Sequence, residues 1–329
     1  MKYIGNYFYK MQFVIIVFLL FYAVSSCESG KKEDIDVSKI DVLVEVSRFD
    51  KEFAEATPAD IPRLKKKHPY LFPQKYTDSV WESKLKDTIQ LELSSEVMKK
   101  FPDFDVEQKD LELFFKYFKY YFPKQKIPKV VTVTSYVDYR NSVVLADSLL
   151  LIALDTYLGS DHKFYAGIQN YTALTLDKEF LISDVANEFV KKKVRAPDER
   201  FFLSQLIYYG KKLYLKDKLI PFKTDAQKIK YTQEQLDWVV LNEEHMWRYF
   251  VEKELLYSTS GKLAARFLDE APFSKFQLEL DVESPGRAGR YIGWQIVKAY
   301  MEKNDISLTQ LLNMPSEEIF KKSNYKPRK

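Results

Sequence analysis

The pattern of apolar and polar positions changes character along the chain. The stretch "IDVLVEVSRFDKEF" alternates apolar and polar residues and then runs into charge, which predicts a strand followed by a helix. "HPYLFP" and the prolines at 58, 62, 69 and 73 mark turns around short helices. "DSVWESKLKDTIQLELSSEVMKKF" and "VEQKDLELFFKYFKYYF" carry apolar residues at helical spacing. "KVVTVTS", bounded by Pro128, reads as a strand, and "NSVVLAD" and "SLLLIAL" supply two more. Beyond them the period is helical: "DVANEFVKKKV", "ERFFLSQLIYYGKKLYLKDKL", "TQEQLDWVVLNEEHMWRYFVEKELL", "SPGRAGRYIGWQIVKAY" and "SLTQLLNMPSEEIFKKS". The expected architecture is α+β, mostly helical with a small mixed sheet in the first half. Neither a repeat nor a low-complexity linker interrupts it.

The start of the chain is different. Lys2 and Lys10 precede the apolar run "MQFVIIVFLLFYAV", which is short for a spanning helix and carries the flanks of a signal peptide. "VSSC" closes it at Cys27, the one cysteine present, and resembles a bacterial lipobox. Small residues there admit the signal peptidase, and the thiol is the group available for thioether attachment. The predicted organisation is a signal peptide over 1–26, a polar tether over 27–37 and a single α+β domain over 38–329. Acyl chains such as palmitate, at about 0.8 kcal/mol per buried CH₂, would fasten Cys27 to a membrane. The expected location is the cell envelope, at the outer membrane and facing the periplasm.

Charge narrows the partners. Half of the formal +4 resides in Lys2 and Lys10, so the folded body is nearly neutral and offers no case for nucleic acid. A lone cysteine builds neither an internal disulfide nor a zinc cluster. The three histidines, His68, His162 and His245, fall in unrelated contexts, and none opens an H-E-x-x-H pair. On "NEEHMWRYFVEKE", His245 and Glu252 share a helix face beside Glu244. That is a solvated face or a metal site, and spacing leaves both open.

"SPGRAGRYIGWQIVKAY" holds three of the nine glycines. It is neither a dinucleotide fingerprint nor a phosphate loop. Ser284 followed by Pro285 suits an N-cap and first helical position, which would put Gly286, Gly289 and Gly293 on one face. Such a face packs closely on a neighbour or faces a ligand. Arg287 and Arg290 add positive charge to the positive end of a helix, which is unfavourable unless an anion or carboxylate faces them.

Four stretches, "KIDVLVEVSRFDKEFAEATPADIPRLKKKHPYLFP", "FLSQLIYYGKKLYLKDKLIP", "HMWRYFVEKELLYST" and "ESPGRAGRYIGWQIVKAYM", resemble the gliding motility lipoprotein GldB family of Bacteroidetes. The resemblance implies an envelope lipoprotein needed for surface gliding, acting with protein components of the gliding or type IX secretion machinery. More distantly, the order of helix, acidic helix and "PGRxGRYIG" is similar to gluzincin-type zinc metalloproteases. That similarity would place the first histidine at Gln205, the catalytic glutamate at Leu206, the second histidine at Tyr209 and the third ligand at Glu244. Only the glutamate survives, so it implies a degenerate protease-like scaffold without catalysis, metal or other cofactor, in which Arg287 and Arg290 face Glu244 or a bound peptide. Two other readings stay open: a cell-wall or peptide-binding module that uses the aromatics, and an active hydrolase with an unrecognised metal site.

Overall fold

Four short strands form a mixed sheet in the order β1-β2-β4-β3: β1 (Val46–Arg48), β2 (Lys129–Val133), β3 (Val143–Ala146) and β4 (Leu149–Ala153). The computed structural model describes residues 35–277 and 279–328. The signal peptide, Cys27 and most of the tether therefore lie outside the described residues. Ile40–Lys329 form one compact unit.

β1 and β2 pair in parallel, as do β2 and β4, while β3 and β4 form an antiparallel hairpin. Asp147 turns that hairpin with a φ of 41°. Adjacent residues of a strand point to opposite faces, so each face of the sheet has its own core. Val130, Leu150 and Ile152 face a core with Phe114, Phe115, Phe118 and Phe189. Val131 faces the other way, toward Phe49, Phe53, Leu64, Phe72 and Trp81. The phenylalanines of the first core come from α5 (Asp105–Tyr121) and α7 (Leu181–Lys193). The second core is covered by α1 (Phe49–Ala54), α2 (Ile61–Lys67) and α3 (Asp78–Lys86).

One long periodic stretch is in fact two helices. Asp87 ends α3, and its carboxylate accepts from Ile89 N (2.9 Å) and Gln90 N (3.5 Å) at the start of α4 (Thr88–Lys100). After a single-turn α6 (Asn170–Ala173), the second half of the chain is helical throughout. It comprises α8 (Phe202–Leu219), α9 (Asp225–Ile229), α10 (Gln233–Leu241), α11 (Glu243–Glu252), α12 (Lys262–Phe267), α13 (Ala288–Lys303), α14 (Leu308–Asn313) and α15 (Ser316–Ser323). Here too a continuous apolar pattern divides, at Asn242, whose amide donates to Trp238 O (2.9 Å).

α8 joins the two halves. Leu215 and Leu219 near its end enter the sheet-side core, while Phe202, Leu206 and Tyr214 enter a third core with Phe250, Phe267 and Trp294. A helix buried nearly all round needs apolar residues outside a single stripe, and "FLSQLIYYGKKLYLKDKL" has them. No helix among the described residues is long and apolar enough to cross a membrane.

Candidate functional site

α8 and α13 meet backbone to backbone. A Cβ on Gly293 would overlap the Leu206 carbonyl, and one on Gly210 would overlap the Gly293 carbonyl. One turn earlier, a Cβ on Gly289 would lie 2.9 Å from Phe267 O and 3.0 Å from Leu206 Cδ2. Gly286 lies outside the helix, pressed on the Ala271 carbonyl, and its own carbonyl accepts from the Tyr231 hydroxyl (2.5 Å).

The helix begins three residues later than the Ser-Pro pair suggests. Ser284 does not cap it. Its hydroxyl donates to Asp281 O (2.6 Å) and Ser274 O (3.0 Å). The cap comes instead from Ser274, whose hydroxyl accepts from Ala288 N (3.0 Å) and donates to Pro285 O (2.8 Å). Arg287 makes the corner with a φ of 65°.

Neither arginine is hydrogen-bonded to Glu244. Arg287 donates to Lys230 O (2.9 Å), and its guanidinium lies 5.1 Å from the Tyr231 ring centroid. Arg290 donates through Nε to Leu268 O (2.6 Å) and stacks 4.4 Å from the Tyr209 ring centroid. Burial first, then Arg287, pushes the Arg290 guanidinium down to about 10.

The four positions of the metalloprotease register are held as follows. Gln205 is half-buried and donates to Arg200 O (3.4 Å). Leu206 is wholly buried under Gly289 and Gly293. Tyr209 is covered by Arg290. Glu244 is half-buried near the start of α11.

The carboxylate that matters structurally is its neighbour Glu243, which the sequence did not single out. Glu243 is buried and accepts from the Tyr291 hydroxyl (2.9 Å), the Tyr325 hydroxyl (2.7 Å) and Arg328 N (3.3 Å). It thereby ties α11 to α13 and to the C-terminal segment. Those partners are 48, 82 and 85 residues away, so only the three-dimensional fold assembles them.

Of the histidines, His68 is buried between Glu52 (3.1 Å) and Tyr70 (3.0 Å), and His162 lies 3.5 Å from Glu96. His245 and Glu252 are exposed. Among the described residues no group of three or more His, Cys, Asp or Glu could hold a metal ion.

A cavity of about 450 Å³ opens beside His245, between α10, α11 and the loop ahead of α13. Trp238, Met246, Tyr249 and Phe276 give it apolar lining, and Asn242, His245, Asp281 and Glu283 its polar lining. The loop wall is braced by Asp281, whose carboxylate accepts from Phe276 N (3.0 Å) and Gln277 N (2.7 Å). An apolar cleft with a few polar groups in its lining is the usual form of a pocket for a small ligand or a side chain.

Neither a curated protein nor a solved structure matches the chain. Residues 30–327 match the family described as gliding motility protein GldB. That match spans the sheet, the α8–α13 seam and the cavity alike, and the chain therefore belongs to the GldB family of gliding motility lipoproteins.

Proposed function

We propose that the protein is a non-catalytic binding component of the cell envelope. It is anchored through lipid on Cys27, at the outer membrane and facing the periplasm, and acts with the gliding or type IX secretion machinery. The scaffold is that of a zinc metalloprotease whose chemistry has been lost.

One observation carries this reading. A catalytic zinc needs three protein ligands and an open position, with a carboxylate as base. Where the register requires a histidine pair and that base, Leu206 is sealed under the α13 backbone and Tyr209 is stacked beneath Arg290. Leu206 accepts no proton and binds no metal, and a tyrosine stacked on a guanidinium is a poor zinc ligand.

The cavity beside Trp238 and Tyr249 is then the binding cleft, and its occupant is an apolar side chain on a peptide segment of a protein partner. The test uses cells in which Trp238→Ala with Tyr249→Ala replaces the native chain at equal abundance. Loss of gliding is expected, and normal gliding would remove the cleft from function. Separately, the purified chain is dialysed against trace zinc and assayed for metal and for peptide hydrolysis. Near-stoichiometric zinc, with hydrolysis lost in Glu244→Gln, would overturn the non-catalytic reading.

A further inference from the structure

Away from that cleft, positive charge gathers where α7, α8 and α13 meet. Lys212 of α8 extends over two adjacent rings, 5.2 Å from the Tyr208 centroid and 5.4 Å from the Tyr209 centroid. Arg290 of α13 lies on the same Tyr209 ring at 4.4 Å. Both cations and both tyrosines are half-buried.

Of the surrounding acids, two are engaged elsewhere and one is exposed to solvent. Glu188, the acid whose charge acts on Lys212, is held by Lys191 at 2.5 Å. Asp184 accepts from Lys230 (2.8 Å) and the Tyr157 hydroxyl (3.0 Å). Glu270, on the side of Arg290, is exposed to solvent. Among the described residues Lys212 Nζ has no hydrogen-bond or ion-pair partner, and Arg290 donates only through Nε. The Tyr208 and Tyr209 hydroxyls likewise donate to no described residue.

Desolvation is the chief force lowering Lys212 to about 8, and Arg290 and Lys191 add to it. Ring faces return only part of the hydration a half-buried cation loses, so each retains capacity for an anionic partner.

We propose that Lys212, Arg290 and the hydroxyls of Tyr208 and Tyr209 form a binding site for a phosphate group. A planar guanidinium and an ammonium on either side of a dianion give charge-assisted hydrogen bonds to separate oxygens, and the phenols supply neutral donors. A single carboxylate would leave one of the two cations unneutralised. The site is separate from the peptide cleft, and it shares Tyr209 with the metal register.

Lysine footprinting of the full lipidated chain in detergent tests it, because half-buried Lys212 is free enough of protons near pH 8 to react with an amine-acetylating reagent. The probes are inorganic phosphate, dihexanoyl phosphatidic acid, and acetate and chloride at equal ionic strength. Severalfold slower acetylation of Lys212 in inorganic phosphate is expected, with exposed Lys99 and Lys321 unchanged. Protection by phosphatidic acid but not by free phosphate also supports the site and assigns it to a lipid headgroup. Equal protection by acetate or chloride, or none by either phosphate probe, overturns it. Lys212→Met gives a second readout: the rise in Tm that phosphate gives the native chain should be lost, and an undiminished rise would count equally against the proposal.

Discussion

Gly293 lies with its Cα against the carbonyl of Leu206, so that at this point α13 and α8 meet main chain to main chain. Even one methyl group there would collide with backbone, which cannot rotate away as a side chain can. Gly293→Ala should therefore cost about 3 kcal/mol or more, at the upper end of overpacking effects. Gly210→Ala should cost a similar amount, because its Cβ would strike the Gly293 carbonyl from the other helix. Urea denaturation measures both. If either variant unfolds at the native midpoint, the helices are further apart than described.

Glu243→Ala should destabilise the chain by about 2–4 kcal/mol, since two tyrosine hydroxyls and a backbone N–H lose their acceptor. Glu243→Gln keeps one carbonyl oxygen and should cost less. The coupling can be isolated with Tyr325→Phe. In the Glu243→Ala background that substitution should be nearly neutral, and in the native chain it should cost about 1 kcal/mol. Equal costs in both backgrounds would mean that Glu243 does not hold the C-terminal segment.

Buried lysines give stability a slope with pH. Lys216 donates to Ser183 Oγ (2.9 Å) and Lys228 O (3.1 Å), and desolvation lowers it from 10.5 to about 7. Lys211 is lowered to about 8 by the same cause. A lysine whose folded pKa is depressed binds its proton more weakly in the folded chain than in the unfolded one. Between about pH 7 and the ordinary lysine value, the unfolded state holds more protons, so stability rises with pH there. The slope approaches about 1.4 kcal/mol per pH unit for each lysine. It ends near about pH 10, where tyrosines held protonated by the fold, such as Tyr231 at about 12, act in the opposite sense. Lys216→Met should flatten the rise, as read from urea midpoints at pH 7, 8 and 9, and an unchanged slope would contradict the assignment.

These contacts differ in how far the sequence announces them. The sheet was legible because "KVVTVTS", "NSVVLAD" and "SLLLIAL" have β-rich composition and clear boundaries, and each became a strand. The α+β class followed from the same pattern. The breaks at Asp87 and Asn242 were not legible, because apolar spacing continues across each and only the local hydrogen bonds reveal the corner. Glycine scarcity drew attention to Gly289 and Gly293, but nothing in the sequence marks Gly210 as the opposing surface. Arg287 and Arg290 were conspicuous as uncompensated charge. Their carbonyl and ring partners belong to residues 22 to 81 positions away, and such pairings depend on tertiary structure. Glu243 and Glu244 are chemically identical neighbours. The one that packs beneath Tyr291 is decided by helix phase, and a shift of one residue moves a side chain about 100° around a helix.

The loop after β2 shows a carboxylate imposing a conformation that its own residues disfavour. Tyr136 and Val137 both have a φ of 59°, and for a β-branched residue that left-handed geometry is strained by about 1–3 kcal/mol. Buried Asp155 holds it, accepting from Ser135 N (2.9 Å), Val137 N (2.7 Å) and Ser135 Oγ (3.2 Å). Asp155→Ala should remove those acceptors and cost about 3 kcal/mol, while Asp155→Asn, retaining one oxygen, should cost less. Val137→Gly separates strain from packing. Glycine adopts a positive φ freely but forfeits the part of Val137 that packs on the sheet-side core, so in the native chain the two effects oppose each other. With Asp155 removed, the loop is free to relax and the relief no longer counts. Val137→Gly should then be more costly beside Asp155→Ala than alone. Urea midpoints of the four chains close the cycle, and equal costs in the two backgrounds would show that Asp155 does not hold the loop under strain.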